Sequence, residues 1–344
     1  MTTTTDTVLR IVLPGLVEPN GLELDRGRPP TPGSDQVLLR MEATGVSFAE
    51  QQMRRGKYFD QPPFPFVPGY DVVGTVVAVG SDASPDLIGR RFAAVTKTGG
   101  WAQVVAVDAA DLLAVPAGVS ADEIETVVVN GITAWQMLAE ARVPDGGTIV
   151  VFGVSGGVGG MLAQLAALRD ITVIGTASAR HHDDLTAHGI RVVDSRAGDV
   201  HRELAALAPN GVDAVFDHIG GDGIVASWRL LRRGGSLISY GTAATKDDPG
   251  NARLPVLKLF GRLYLWNMVP NGRRARFYNF WKGKKLNAKR FHSKQRDAAA
   301  AVFSALADGR LTPAIAARFP LAEAGRALAL AESRTTSGKI VLTP

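Results

Sequence analysis

The run VVFGVSGGVGG, Val150 to Gly160 of this 344-residue chain, joins a β-branched apolar segment to a cluster of glycines and then to a helical pattern. Those residue types in that order suit the binding of a nucleotide diphosphate. Thr148 to Phe152 fit a buried parallel strand, and Met161 to Leu168 supply the apolar stripe of a following helix. The diphosphate would rest on that helix's N-terminus, where unpaired N–H groups and the positive end of the helix dipole favour an anion. Glycine, lacking Cβ, lets the backbone come close. The glycines fall at 153, 156, 157 and 159, a GxxGxxG spacing and not GxGxxG, so the loop alone is a weak signal. The strand before it and a second strand, Ile171 to Gly175, after the helix make it a strong one. Cofactor contacts are therefore expected at Gly153, Ser155, Gly156, Gly157 and Val158.

The residues beyond the second strand refine the cofactor. A site for NAD wants an acidic side chain about 20 residues past the loop to hold the ribose hydroxyls. Here the chain reads Thr176, Ala177, Ser178, Ala179, Arg180, with no acid. A hydroxyl at Ser178 and a guanidinium at Arg180 suit a 2′-phosphate, so the expected cofactor is NADPH. The alternative is that both merely open a solvated helix running on through His181 and His182.

The elements that carry these groups need a chain of this size. At 344 residues with 46% hydrophobic content, two cores are expected. No apolar run approaches the roughly 18 residues of a membrane span, and the opening MTTTTDTV lacks the basic and apolar regions of a signal peptide, so a cytoplasmic location is expected. The absence of cysteine removes disulfides, thiol nucleophiles and thiolate metal ligands together. The net charge of +5 is unevenly placed. Between Arg262 and Arg296 stand eleven Lys or Arg residues and no Asp or Glu, interleaved with Tyr264, Trp266, Phe277, Tyr278, Phe280, Trp281 and Phe291. Such a basic, aromatic arm could meet a polyanion or an acidic carrier. The preferred account is a partly helical arm with its aromatics packed on the body, and nucleic acid is not an expected partner.

Along the chain, Val8 to Leu13 and Gln36 to Ala43 alternate like strands of a mixed or antiparallel sheet, separated by a turn over Gly27 to Gly33. A short helix is expected over Ala49 to Arg54, then a strand punctuated by Gly69, Gly74 and Gly80, and further strands at Arg91 to Thr96 and Trp101 to Val107. A helix over Ala121 to Leu138 leads into a regular alternation, with strands near Ile171, Val192, Val212 and Ser236. That is the pattern of a doubly wound parallel sheet. The stretch Asp217-His218-Ile219-Gly220-Gly221 and Tyr240, Gly241 and Thr242 should stand at strand tips, where such sheets bind ligands. A helix over Asp297 to Leu306 and a strand, helix, strand tail from Arg318 to Thr343 complete the chain.

Taken together, GVSFAEQQMRRGKY, PFVPGYDVVGTVVAVG, NGITAW, FGVSGGVGG, IGTASA and GKIVL resemble the medium-chain dehydrogenase/reductase superfamily, in its zinc-independent quinone oxidoreductase branch and especially the vesicle amine transport protein-like group. The resemblance covers nearly the whole chain. It implies an α/β fold with a β-rich GroES-like catalytic domain (1–122 and 297–344) and a doubly wound parallel-sheet Rossmann nucleotide-binding domain (123–296, including the arm at 262–296). Where zinc-containing relatives carry a Cys ligand this chain has Ser47, and where they carry the His of Gly-His-Glu it has Tyr70 between Gly69 and Asp71. No metal is expected, and without a Lewis acid the substrates should already be electrophilic: quinones, enones or enoyl thioesters, free or linked to CoA or a carrier.

Hydride transfer to such a substrate leaves negative charge on an oxygen that the site must stabilise and protonate. By the resemblance, Tyr58 matches a proton donor of enoyl-thioester reductases, and Ser47 stands where quinone oxidoreductases usually have Asn. Tyr58 could equally serve only to shape the pocket. Asn130 and Thr133 match residues near the nicotinamide ribose and phosphate, and Gly220, Tyr240 and Gly241 match the nicotinamide wall. A Tyr that contacts the adenosine phosphate in many relatives is replaced by Ser195, leaving Arg196 as its substitute. Leu263 to Met268 correspond to the last strand of the nucleotide domain, which commonly pairs across a two-fold axis, so a homodimer is expected. The pair Tyr278 and Lys282 has the Tyr-x-x-x-Lys spacing of short-chain dehydrogenases, but those enzymes open with their glycine loop; the pair is expected on an exposed helix face.

Overall fold

The computed structural model describes residues 7–58, 60–196, 198–241, 243, 253–333 and 335–344. The first six residues, where the absence of a signal peptide was read, and Thr242 lie outside these. In chain order the elements begin with β1 (Val8–Val12), β2 (Glu23–Gly27), β3 (Gln36–Val46), α1 (Phe48–Arg54), β4 (Asp71–Val79), β5 (Arg91–Val95), β6 (Val104–Asp108) and β7 (Leu113–Ala114). Then follow α2 (Ala121–Ala141), β8 (Thr148–Val151), α3 (Gly157–Ala167), β9 (Thr172–Ala177), α4 (His182–Ala187), β10 (Arg191–Asp194), α5 (Val200–Leu207), β11 (Val212–Asp217), α6 (Ile224–Arg229) and β12 (Leu231–Ser239). The chain closes with α7 (Arg253–Met268), β13 (Arg274–Phe277), α8 (Ala288–Ala307), β14 (Ile315–Pro320), α9 (Ala324–Ser333) and β15 (Lys339–Thr343).

Two compact units result, one of residues 1–132 and 283–344 and the other of 133–282. The boundaries differ from the expected 122/123 and 296/297 because the first part of α2 and all of α8 belong to the β-rich unit. Gly131 of α2 lies against Val302 of α8, and Lys284 pairs with Asp111 at 2.6 Å. The basic arm is thus not one body: 262–282 and 283–296 belong to different units.

In the β-rich unit, β14-β15-β3-β4-β5-β7 form one sheet with β6 paired to β3. Only β14 and β15 run parallel within it. Its apolar face carries Leu39, Met41, Val72 and Trp101, all buried. The Trp101 indole donates to Gly45 O at 2.9 Å, so the ring's one polar group is paired. β1 pairs antiparallel with β2, a strand whose polar, mostly exposed sequence ELDRG gave no alternation to read.

The second unit is a parallel six-stranded sheet, β10-β9-β8-β11-β12-β13. In order of appearance this is 3-2-1-4-5-6, whose direction of winding reverses between β8 and β11. Every residue of β11 is buried, as a strand covered on both faces requires. Two expectations fail here. Leu263 to Met268 are not a strand but the end of α7; Leu259 and Leu263 are buried and Trp266 stacks on Trp228, a helical period of contacts. The last strand is instead β13, whose Ala275 N–H and C=O pair with the Asn267 side chain at 3.0 and 2.7 Å. Tyr278 does not lie on an exposed helix face either. It follows β13, is buried, and donates its hydroxyl to Gln136 Oε1 at 2.9 Å.

Candidate functional site

Strand β8 is wholly apolar after Thr148 and ends where the sheet's winding reverses. At its end Gly153 takes φ +68°, a left-handed conformation that glycine adopts without penalty. Its N–H donates to Thr176 Oγ1 at 2.9 Å, while Val154 N donates to Thr176 O at 3.0 Å and Gly156 N to Gly153 O at 2.9 Å. The turn is therefore tied to the neighbouring strand. Gly156 caps α3, and Gly159 packs so tightly that a Cβ would overlap Gly153 O. Ser155, Gly156, Gly157 and Val158 fall in this turn or in the first helical turn, where N–H groups have no intrahelical acceptor. Gly156 and Gly157 are exposed, so an anion could reach them.

The tips of β9 and β10 stand side by side, with Asp194 opposite Ala177. Ser178 follows β9 directly and Arg180 is exposed one turn on, its Nε donating to His181 Nε2 at 3.0 Å. Burial and the charge of Arg180 lower the pKa of His181, which favours the neutral ring that can accept this bond. Arg196 follows β10, exposed, with its N–H on Asp194 Oδ1 at 3.0 Å. Ser195 N donates to Ala177 O at 2.8 Å and fixes the two tips together. Ser178, Arg180 and Arg196 are thus gathered at one corner, and no acidic residue takes the place after β9 where a ribose-binding carboxylate would stand.

On the other side of β8, Asp217 ends β11, and its Oδ1 accepts from Ile219 N at 2.8 Å and Gly220 N at 2.9 Å. Its Oδ2 accepts from Ser227 Oγ at 2.7 Å. This buried carboxylate shapes the tip that presents Gly220, at φ +67°. Tyr240 N donates to Asp217 O at 3.0 Å, and a Cβ on Gly241 would crowd His218 O. Burial and the Asp217 charge push the Tyr240 hydroxyl's pKa well up, so it stays protonated. His218, expected at this strand tip but given no role of its own, donates from Nδ1 to Phe152 O at 3.1 Å and lays its ring against Gly153. Its place beside the glycine turn follows from the strand order, which brings β11 next to β8.

On α2, Asn130 and Thr133 stand three residues apart. Asn130 Nδ2 donates to Thr126 O at 3.3 Å, within the helix. Thr133 is buried and hydrogen-bonds the Tyr278 hydroxyl.

In the β-rich unit, Ser47 is the N-cap of α1 in a reciprocal capping box with Glu50. The Glu50 Oε2 atom accepts from Ser47 N at 2.8 Å and is in close hydrogen-bond contact with Ser47 Oγ. Ala49 N also reaches Ser47 Oγ, at 3.3 Å. The other Glu50 oxygen accepts from Tyr70 N at 2.7 Å, and the Tyr70 hydroxyl lies 3.0 Å from that of Tyr58. Glu50 therefore ties Ser47 to the backbone of Tyr70, the residue whose hydroxyl meets Tyr58. Behind it lie Asp71, Glu125 and Lys339, with Lys339 Nζ 3.2 Å from Asp71 Oδ2 and 3.1 Å from Glu125 Oε1. Gly45 makes room, since a Cβ there would overlap Lys339 and Glu125.

The Ser-x-x-Glu spacing was a legible signal for Glu50. Asp71, Glu125 and Lys339 carried none, because they meet from three separate elements. Among the described residues no group of three or more His, Cys, Asp or Glu could hold a metal ion, and no helix is long and apolar enough to cross a membrane.

Residues 33–117 match the alcohol dehydrogenase GroES-like domain, and residues 187–342 match the zinc-binding dehydrogenase family. The chain belongs to the medium-chain dehydrogenase/reductase superfamily, with VAT-1 proteins and quinone oxidoreductases among its homologues. It is 34% identical to the human synaptic vesicle membrane protein VAT-1 homolog over 64% of this chain and 57% of that protein. The matched chain thus spans little more than half the length of that relative. With a probable quinone oxidoreductase of Schizosaccharomyces pombe it shares 27% identity over 91% of this chain and 90% of the other. A mycobacterial protein solved in complex with NADPH superposes with a TM-score of 0.81 at 27% identity, covering 98% of this chain and all of that one.

Proposed function

We propose that this protein is an NADPH-dependent, zinc-independent reductase that passes hydride to an activated double bond or quinone: a quinone, an enone or an enoyl thioester. The observation that carries the reading is the pairing of an anion-binding glycine turn at Gly153 to Gly159 with Ser178, Arg180 and Arg196 in place of a carboxylate. The mycobacterial relative's complex with NADPH and the yeast relative's name support it. The turn fits a dinucleotide because its glycines leave exposed backbone where side chains would otherwise stand.

In this reading the first-turn N–H groups of α3 hold the diphosphate, and Arg180 and Arg196 clamp the 2′-phosphate. Asn130 and Thr133 orient the ribose; Gly220, Tyr240 and Gly241 wall the nicotinamide. NADPH, when bound, supplies the hydride. Ser47 and Tyr58 face the oxygen on which charge develops, donating hydrogen bonds and a proton there. With Ser47 and Tyr70 in the positions of zinc ligands, the substrate's own electrophilicity takes over the part of a Lewis acid. The protein acts as a cytoplasmic homodimer on a small, free or carrier-linked substrate, and exposed Tyr264, Leu265, Met268 and Val269 offer apolar surface for such an association.

A polyanion-binding reading of the basic arm draws less support. Lys284 is paired with Asp111, Arg273 donates to Trp228 O, and the arm is divided between two units. The deciding experiment follows NADPH oxidation against a panel of quinones, enones and enoyl thioesters. Turnover with at least one class is expected, and bound NADPH that no acceptor oxidises would overturn the reductase reading. Light scattering at micromolar protein should give the mass of a dimer; a monomer would contradict that part alone.

A further inference from the structure

Three carboxyl groups and one ammonium share a sealed interior in the β-rich unit. Glu50 is 1% exposed, Asp71 and Glu125 are 0%, and Lys339 is 5%. Were all four ionised, two negative charges would remain uncompensated out of water, which costs several kcal/mol per ion and is relieved by proton uptake. Two protons restore neutrality. The hydrogen-bonding pattern indicates where they sit. Asp71 Oδ1 and Glu125 Oε2 have no hydrogen-bond donor, and Glu125 Oε1 meets only Lys339 Nζ, at 3.1 Å, as two carboxyls placed together do until one of them carries a proton for the other. Lys339 serves both carboxyls, at 3.2 Å from Asp71 Oδ2 and 3.1 Å from Glu125 Oε1, and burial followed by the Asp71 charge raises the pKa of Glu125, which makes Glu125 the protonated member of the pair.

The second proton matters more, because it decides which way the Ser47 hydroxyl points. If Glu50 is ionised, the Ser47 O–H must donate to it, and only lone pairs remain to face a substrate. An oxyanion would then be repelled. If Glu50 is neutral, its O–H donates to Ser47 Oγ, which already accepts from Ala49 N, and the single Ser47 proton is free to point elsewhere. The groups facing Glu50 from other elements are the Tyr70 N–H and Asp71 of β4 and its approach, and Lys339 of β15, with Glu125 of α2 behind them. Burial first, and the Asp71 charge second, raise its pKa; the Ser47 bond and Lys339 oppose them.

We propose that Glu50 is a protonated positioning residue that turns the Ser47 hydroxyl outward and reloads it: Ser47 gives its proton to the substrate oxygen as charge develops there, and takes the Glu50 proton in the same movement. The inference rests on the reductase reading for the role of Ser47. Its balance is simple. One O–H bond forms on the substrate, one passes from Glu50 to Ser47, and Glu50 is left as a carboxylate that takes a proton from solvent back through the Ser47 hydroxyl before the next turnover.

The test begins with the unmodified protein carrying no nucleotide. With 13C-labelled Glu, carboxyl chemical shifts at neutral pH should show two protonated glutamates. Glu50→Gln should remove one of the two signals and Glu125→Gln the other. Ionised glutamates throughout would overturn the proposal whether or not the protein turns over. In turnover, kcat should fall about tenfold per pH unit above the Glu50 titration. Glu50→Gln keeps a donor to Ser47 but has no proton to give, so it should lower kcat by roughly a hundredfold, abolish that limb and leave NADPH affinity unchanged. An unchanged pH limb in this variant would also overturn the proposal. If it fails to fold, Ser47→Ala carries the same prediction, since removing the hydroxyl must erase the limb while the Glu50 signal persists. A protein that oxidises no NADPH but shows both protonated glutamates would contradict the function and not the charge state.

Discussion

The two units build their candidate sites from different material. In the parallel-sheet unit the turn at Gly153 to Gly159 is made of backbone: N–H groups, a left-handed glycine, and a helix start made close by the absence of Cβ atoms. In the β-rich unit the corresponding construction is made of side chains, Glu50, Asp71, Glu125 and Lys339, brought from α1, β4, α2 and β15. A backbone site depends on a contiguous sequence. A side-chain site depends on packing, and the contrast governs both how each fails and how each could be read.

The largest effect should come from breaking the side-chain site. Lys339→Met leaves three buried carboxyls without a cation and should cost about 3–5 kcal/mol in urea denaturation. An unchanged midpoint would show the cluster to be already neutral without Lys339. The same unit should lose stability as pH rises. A carboxyl whose pKa is higher folded than unfolded, as for Glu50 and Glu125, binds more protons in the native state between those two values. The stability it contributes is present at low pH and falls as pH climbs from the ordinary glutamate range towards the raised value. A denaturation midpoint that rises over that window would contradict this.

Next in size is the backbone site. Gly159→Ala forces a Cβ against Gly153 O, which should cost about 1–3 kcal/mol and weaken NADPH binding, visible by thermal shift with and without nucleotide. Unaltered NADPH affinity would mean that the turn does not hold the diphosphate. Smaller still, Arg180→Ala removes one exposed cation of the corner proposed to hold the 2′-phosphate. It should weaken NADPH by about tenfold, or 1.4 kcal/mol, without changing NADH. Equal losses for both nucleotides would place Arg180 elsewhere than on the 2′-phosphate.

How far the sequence could be read follows from the same contrast. β8, the glycine turn, α3 and β9 were legible because an apolar strand, a glycine cluster and a helical stripe are consecutive. Leu263 to Met268 misled because the resemblance laid the domain's last strand on a run that in this chain closes α7, one element before β13. Only its contacts, Leu259, Leu263 and Trp266, disclose the helical period. Tyr278 misled through a spacing that carries meaning only in a helix, whereas the residue follows an edge strand. α8 was read from Asp297 when it begins at Ala288, since its first turns, AKRFHSK, are mostly cationic. Glu50 was half visible in its capping box. Lys339, Glu125 and Asp71 were not, because nothing local marks residues whose partners are more than 50 positions away in the chain.

The glycine turn and its cationic corner are proposed to select NADPH. That selection is tested most directly by titrating the purified protein with NADPH and with NADH and following nucleotide fluorescence. Saturable binding is expected, with NADPH clearly the tighter. Binding of neither nucleotide, or tighter binding of NADH, would contradict it.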